Sequence, residues 1–186
     1  SCQLVRLQRP LLTREEFESI CAIDRVGVRA QRFRAAFVYG RGAQRGAGET
    51  LGSANAAPAG ACALEEALDR LAREVEAAVR DGVNIVVLSD RAGEGEVPIP
   101  SLLAVSAVHN HLIRAGVRTF ADLVVECGDA VSAHDFAALV GYSASGIYPY
   151  AAHAVIGRLA DAGDLTAKDG RSLTAAEGVA NYNRAV

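Results

Sequence analysis

The sequence has no methionine, no CxxC pair, no excess of basic residues and no long apolar run. Its formal net charge of −3 gives no electrostatic footprint for nucleic acid or for an anionic membrane surface. No apolar stretch approaches the roughly 18 residues that span a bilayer, and the N-terminus lacks the basic, apolar and small-residue order of a secretion signal. We therefore expect a globular, cytoplasmic protein with neither a nucleic-acid nor a membrane partner.

The four cysteines, Cys2, Cys21, Cys62 and Cys127, are widely spaced, which argues against a zinc or iron–sulfur site within this chain. Isolated cysteines in a chain of this size favour a reducing cytoplasm over a disulfide framework. Cys62 and Cys127 have apolar neighbours and are expected to be small core residues.

Motifs for phosphate binding and ester hydrolysis are also missing. The Gly-rich stretch before residue 61 lacks the G-x-x-x-x-G-K-[ST] order of a phosphate loop, and no G-x-G-x-x-G follows a predicted strand into a helix. No G-x-S-x-G nucleophile elbow occurs either. We predict no catalytic residue, no cofactor-binding residue and no metal site within this chain.

The chain begins with Ser1, which is expected if an initiator methionine was removed or if the chain is a piece of a longer polypeptide. Its 186 residues suffice for one α/β domain with its own core. We expect residues 1–60, with a helix, a strand and a Gly- and Ala-rich loop over Gly40–Gly60, to belong to the same domain as an α/β core over residues 61–186.

Hydrophobic periodicity predicts the elements of this core. An amphipathic helix is predicted by apolar residues at helical spacing: Leu64, Leu68, Leu71, Val75 and Val79. The β-branched run Asn84–Leu88 that follows predicts a strand buried on both faces, as in a parallel sheet. Other predicted helices are Leu11–Ile20, Ser101–Ala115, Ser132–Val140, Pro149–Ala162 and Thr174–Val186, and other predicted strands are Phe33–Tyr39, Leu123–Val125 and Ser145–Tyr148. This order favours an α/β fold with a mostly parallel sheet flanked by helices, and it leaves an open sheet and a partial barrel as alternatives.

Polar residues follow two of the predicted buried strands. Ser89, Asp90 and Arg91 come directly after the first strand, and Glu126 follows the second. The carboxyl ends of parallel strands form the edge at which α/β proteins place ligand-facing groups. Arg91 can bind a phosphate or a carboxylate there; alternatively, the Asp90–Arg91 neighbours form an ion pair that orders the loop, and this second interpretation is favoured. Glu126 has the same two interpretations.

Three histidines are further candidates for ligand or domain contact. His109 and His111 are two residues apart on a predicted helix, so they point to different faces and do not predict one metal site. His109 shares an apolar stripe of that helix, which favours a packing or interface role over metal ligation. His134 lies on another predicted helix, and no spacing links it to the pair.

Two strings carry a resemblance to a known family. GVNIVVLSDR at 82–91 and VPIPSLLAVSAVHNHLIR at 97–114 resemble the central domain of the glutamate synthase large subunit, in which a strand ending in LSDR leads to an IPSLLAVGAVHHHLIR helix. Shorter similarities follow in the same order at Val117–Thr119, Leu123–Glu126, Leu139–Tyr142, Tyr148–Tyr150 and Asn181–Tyr182. The strong resemblance covers Leu64–Arg184, and a weaker one reaches back to Pro10. The chain departs from the family pattern at Ser106, Asn110, Asp135, Ser143 and Tyr148.

The resemblance implies a connecting role. In that family a glutaminase domain releases ammonia from glutamine, and a synthase domain with FMN and an iron–sulfur cluster uses the ammonia to convert 2-oxoglutarate into glutamate. The central domain joins the two active sites and carries neither the flavin nor the cluster. The implied partners are the glutaminase and FMN-binding domains or an equivalent protein, and a homo-oligomer stays open. The helix over Ser101–Ile113 is apolar on nearly every side, which predicts that every side is buried in such an assembly. The alternative function is a stand-alone module that binds a small anion or a partner protein.

Overall fold

The computed structural model of the protein describes residues 5–38 and 59–186. Cys2, Tyr39 and most of the predicted loop Gly40–Gly60 lie outside these residues. In the described part, the helices are α1 (Arg14–Cys21), α2 (Ala59–Arg80), α3 (Ser101–Arg114), α4 (Ala133–Gly141), α5 (Tyr150–Asp161) and α6 (Ala175–Ala185). The strands are β1 (Asp24–Arg25), β2 (Val28–Arg34), β3 (Ala36–Val38), β4 (Ile85–Ser89), β5 (Glu96–Pro98), β6 (Asp122–Cys127) and β7 (Ala144–Pro149).

A five-stranded sheet in the order β1-β2-β4-β6-β7 organises these elements. β2, β4, β6 and β7 run parallel, and only the short edge strand β1 is antiparallel to its neighbour. The sheet is open and does not close into a barrel. The predicted α/β class with a mostly parallel sheet is therefore confirmed, and the open sheet is the correct one of the two alternatives.

Successive side chains of each strand alternate between the two faces of the sheet, and helices cover both faces. Val86 and Leu88 of β4 pack in the core formed with α2, α3 and α4. Ile85 and Val87 pack in a smaller core formed with α1. All five residues of β4 are buried, as predicted for a strand in a parallel sheet.

Glycines end the helices that precede β4 and β6. Gly82 follows α2 with a φ of +94°, and Gly116 follows α3 with a φ of +72°. Side chains of L-residues are strained in this left-handed region, so glycine is the residue that allows a tight turn there.

The N-terminal helix starts later than the predicted Leu11. Thr13 and Glu16 form a complete capping box, which begins α1 at Arg14. The two leucines before it are extended beside β7, where the Leu12 amide donates to the Ile147 carbonyl at 2.8 Å. The predicted strand Phe33–Tyr39 is also different, because the chain forms β2 and β3 separately.

Helix α3 buries one side and exposes the other. Val105, Val108 and Leu112 are fully buried, whereas Leu103 and Ile113 are 38% and 52% exposed. Within the described residues, α3 is therefore not buried on every side, contrary to the expectation from its composition. No helix among these residues combines the length and the apolar character needed to cross a membrane.

Candidate functional site at the carboxyl edge of the sheet

The polar residues predicted at the strand ends meet at one edge of the sheet. Register pairs Ser89 of β4 with Glu126 of β6, and Glu126 in turn with Tyr148 of β7. Arg32 lies near the end of β2, two residues before the Arg34–Ser89 pair. Parallel strands thus place four side chains from distant parts of the sequence side by side.

Glu126 is the centre of this edge and is 2% exposed. The Ser89 hydroxyl donates to Glu126 Oε2 at 2.7 Å, and Arg91 Nε donates to Glu126 Oε1 at 2.6 Å. Arg32 Nε lies 3.6 Å from Glu126 Oε2. A buried carboxylate needs such hydrogen bonds and opposite charges to offset the loss of water, so these residues form one connected cluster.

Arg91 therefore pairs with Glu126 rather than with its sequence neighbour Asp90. Its guanidinium also lies over the Tyr150 ring, with Cζ 3.8 Å from the ring centroid, in the geometry of a cation–π contact. The side chain remains 51% exposed, which leaves its outer end in contact with solvent.

Asp90 instead connects the loops that follow β4 and β6. Its Oδ2 accepts a hydrogen bond from the Gly128 amide at 2.6 Å, while its Oδ1 is buried with no hydrogen-bond partner in the described structure. Burial raises the pKa of the Asp90 carboxyl. Burial and the Asp90 charge together raise the pKa of Tyr150 to about 12. A Cβ at Gly128 would lie 2.7 Å from the Tyr150 hydroxyl oxygen, so glycine permits this close approach.

The histidines of α3 have separate partners. His109 Nδ1 accepts a hydrogen bond from Arg118 Nε at 3.0 Å, whereas His111 Nε2 lies 2.7 Å from Glu76 Oε2 of α2. His134 is exposed in the first turn of α4. The structure therefore brings none of the three to the Glu126 cluster. Within residues 5–38 and 59–186, no group of three or more His, Cys, Asp or Glu side chains is arranged to hold a metal ion.

A cleft of about 940 Å³ opens beside the Glu126 cluster. Helix α1 forms one part of its wall, and α5 and α6 form another, with the strand ends between them. His153 of α5 lines it and donates from Nε2 to the Asn183 Oδ1 of α6 at 2.9 Å. Three arginines and three glutamates line the cleft: Arg14, Arg32, Arg91, Glu15, Glu18 and Glu126.

Sequence reasoning missed Arg32, Tyr150 and His153. Arg32 lies one residue before the start of the predicted strand Phe33–Tyr39, so the strand-end argument did not include it. Tyr150 directly follows the last residue of β7, and the same argument applied to the Ser145–Tyr148 strand would have found it. No sequence signal links His153 to the cleft, because the packing of α5 on α6 places it there.

Comparison with known proteins gives the family. The protein-family model described as glutamate synthase central domain matches residues 1–186 of this sequence. The chain is 34% identical over 183 residues to the glutamate synthase [NADPH] large chain of Bacillus subtilis (strain 168), an alignment that covers 94% of this chain and 10% of that protein.

Two other relatives give the same result. The glutamate synthase [NADPH] large chain of Azospirillum brasilense is 33% identical over 185 residues, which is 99% of this chain and 11% of that protein. The ferredoxin-dependent glutamate synthase 2 of Synechocystis sp. is 50% identical over 98 residues, which is 50% of this chain and 6% of that protein. The chain thus spans about a tenth or less of the length of the curated relatives it matches. With the central-domain model matched over its whole length, the chain belongs to the glutamate synthase central domain family.

Proposed function

We propose that this chain acts as the connecting domain of a glutamate synthase, between a site that releases ammonia from glutamine and a site that forms glutamate reductively from 2-oxoglutarate. The observation that carries the proposal is the match of the central-domain model to all 186 residues. In this role the chain supports domain contact and ammonia passage and has no activity alone. FMN and an iron–sulfur cluster belong to the synthase part of such an enzyme, and the glutaminase and FMN-binding domains are the partners.

The bonding of the candidate residues, both at the sheet edge and between α2 and α3, supports a structural role for this segment. Glu126 is engaged by Ser89 and Arg91, and His111 is engaged by Glu76. Groups held in this way stabilise the domain, since each is satisfied by a neighbour within the same chain.

Exposed apolar side chains support the inferred domain contacts. Phe120, which follows α3, is 65% exposed, and Ile113 on α3 is 52% exposed. Single exposed apolar residues are ordinary on a protein surface, and each of these two gives a neighbouring domain an apolar side chain to cover. A cytoplasmic location is part of the proposal, since Cys21 and Cys127 are free thiols and suit a reducing compartment.

A chimera tests the proposal. We would replace the matching segment of the Bacillus subtilis large chain with this sequence and measure glutamate formation from 2-oxoglutarate with glutamine or with ammonium as the nitrogen source. We expect both activities in the chimera and neither in the 186-residue chain alone. Flavin content and the ammonium-dependent rate report whether the chimera is folded.

Two outcomes would contradict the connecting role. One is glutamate formation from glutamine by the isolated chain. The other is a chimera that binds flavin and uses ammonium but no longer uses glutamine, because the segment would then fail to join the two sites.

A further inference from the structure

Two arginines flank one buried carboxylate at the carboxyl edge of the sheet. Arg91 and Arg32 both approach Glu126 through Nε, at 2.6 Å and 3.6 Å. Their side chains are 51% and 42% exposed, and both line the cleft. The Nε side of each guanidinium thus faces Glu126. Arg32 Nη2 also donates to the Cys21 Sγ at 3.5 Å, whereas no described residue accepts a hydrogen bond from the terminal nitrogens of Arg91.

Aromatic rings hold both guanidinium groups in place. Arg91 Cζ is 3.8 Å from the Tyr150 ring centroid, and Arg32 Cζ is 5.0 Å from the Phe17 ring centroid. Phe17 is itself fully buried and stacks on Tyr148 at 4.8 Å. Contacts of this kind fix the position of an arginine before any ligand arrives, which lowers the entropy that binding would otherwise cost.

We propose that this cleft binds a small anion with a carboxylate or phosphate-monoester group, held by the two terminal nitrogens of Arg91 and attracted by the positive charge of Arg32 beside it. A guanidinium presents two parallel N–H donors, which match the oxygens of either group. The volume of about 940 Å³ lies within the range of small-molecule sites. This inference does not depend on the proposed connecting role, because it concerns groups within this chain alone.

The charge around the cleft limits the size of the ligand. Arg14 adds a third positive charge, while Glu15 and Glu18 of α1 line the same cleft with negative charge. Glu126 offsets part of the charge of the two arginines. The three positive and three negative formal charges of the lining therefore balance, which favours a compact anion over an extended polyanion.

Titration calorimetry on the 186-residue chain tests the site, with inorganic phosphate and succinate as separate probes. We expect at least one probe to bind, and to bind about tenfold more weakly to Arg91→Gln, since that variant loses a charge-assisted, two-donor contact. Arg73→Gln, which removes an exposed arginine of α2 away from the cleft, is the matched control and should bind like the unchanged chain.

A second variant tests the sign of the electrostatic effect. Glu18→Gln removes a negative charge from the exposed wall of the cleft and should tighten anion binding by about two- to threefold. Added sodium chloride should weaken binding, because the arginine ends are exposed and screened by salt. Binding of phosphate alone assigns the phosphate-monoester class, and binding of succinate alone assigns the carboxylate class.

Several results of these titrations would overturn the proposed anion site. The proposal would be overturned if neither probe bound at about 10 mM, because such an affinity is too weak for a built site. It would also be overturned if Arg91→Gln and Arg73→Gln lost equal amounts of binding affinity. Where circular dichroism shows that Arg91→Gln is not folded, Arg91→Lys replaces it: this variant keeps the charge beside Glu126 but lacks the two-donor fork. Unchanged affinity in Arg91→Lys would also overturn the site.

Discussion

At the scale of single residues, we expect loss of the buried Glu126 carboxylate to have the largest effect on the stability of the fold. We expect Glu126→Ala to lower the free energy of unfolding by about 3 kcal/mol, because Ser89 and Arg91 lose their shared acceptor in a buried setting. Glu126→Gln should cost about half as much, since its amide oxygen can still accept from the Ser89 hydroxyl. Urea unfolding followed by far-ultraviolet circular dichroism measures both losses.

The control for this pair is Glu65→Ala, which removes an exposed carboxylate on α2. Surface changes of this type alter stability by less than about 0.5 kcal/mol. If Glu126→Ala cost no more than Glu65→Ala, the cluster at the sheet edge would not contribute to the stability of the domain.

The buried carboxyl of Asp90, in the loop after β4, predicts that the stability of the protein depends on pH. Burial raises the pKa of its carboxyl in the folded chain, so the folded state takes up a proton more readily than the unfolded state, whose Asp pKa is about 3.9. The Asp90 contribution to stability therefore falls as the pH rises from the unfolded pKa through the raised folded pKa. Asp90→Asn should remove this loss and keep an acceptor for the Gly128 amide.

The measurement is the difference in urea midpoint between Asp90→Asn and the unchanged chain from about pH 4 to pH 7, a range that begins near the unfolded Asp pKa. The difference should shift in favour of the variant as the pH rises. Taking differences between the two chains cancels the contributions of the other carboxylates to the pH dependence of stability. Several of these have lowered pKa values and an opposite dependence on pH. In Glu177, for example, hydrogen bonds from Arg171 and Thr174 lower the pKa to about 2. A constant difference for Asp90→Asn would contradict the raised pKa.

At the scale of elements, two helical glycines give opposite predictions. A Cβ at Gly178 of α6 would lie 2.7 Å from Ile156 Cγ2 and 3.1 Å from a Leu165 methyl group, whereas a Cβ at Gly157 of α5 would have no atom within 4 Å. Alanine gains up to about 1 kcal/mol over glycine in a helix interior. We expect Gly157→Ala to raise the free energy of unfolding by about 0.5 kcal/mol and Gly178→Ala to lower it by about 1–2 kcal/mol through overpacking.

Thermal unfolding of the two variants side by side checks the contact between α5 and α6. They add the same methyl group to neighbouring helices, so only the packing environment differs. Equal effects of the two substitutions would mean that α6 does not pack on α5 at Gly178.

Elements with a repeating pattern were predictable from sequence, and those formed by tertiary pairing were not. Helix α2 follows from its apolar spacing, and the parallel arrangement followed from the buried run of β4. Strand β5 has three residues, too few to show a period, and it forms because it pairs with β3. The same limit applies to the site: the strand-end argument placed Ser89 and Glu126 at one edge, whereas the partner of His111 depends on how α2 packs against α3, which periodicity does not specify.

At the scale of the whole molecule, the sheet joins two cores that include both the N-terminal and the later residues. β2 pairs with β4 in parallel over five residues. The fully buried Leu12 and Phe17 pack in the same core as Val87 and Val124. The assignment of residues 1–60 and 61–186 to one domain remains a prediction from sequence, and these contacts make it testable.

We expect residues 61–186 expressed alone to fail to fold cooperatively. Removal of residues 1–60 would leave β4 as an open edge with unpaired backbone groups, which promotes association between chains. It would also uncover the sheet face that α1 now covers, where Val87 and Val124 are at most 3% exposed, and parallel sheets are stable only when both faces are covered. The measurement compares urea unfolding of the truncated and complete chains by far-ultraviolet circular dichroism, with size-exclusion chromatography to detect association. The complete chain should give one unfolding transition. If the 61–186 chain were monomeric and gave a sharp transition at a similar urea midpoint, these residues would form a domain of their own, and α1 and β2 would be an attachment to it.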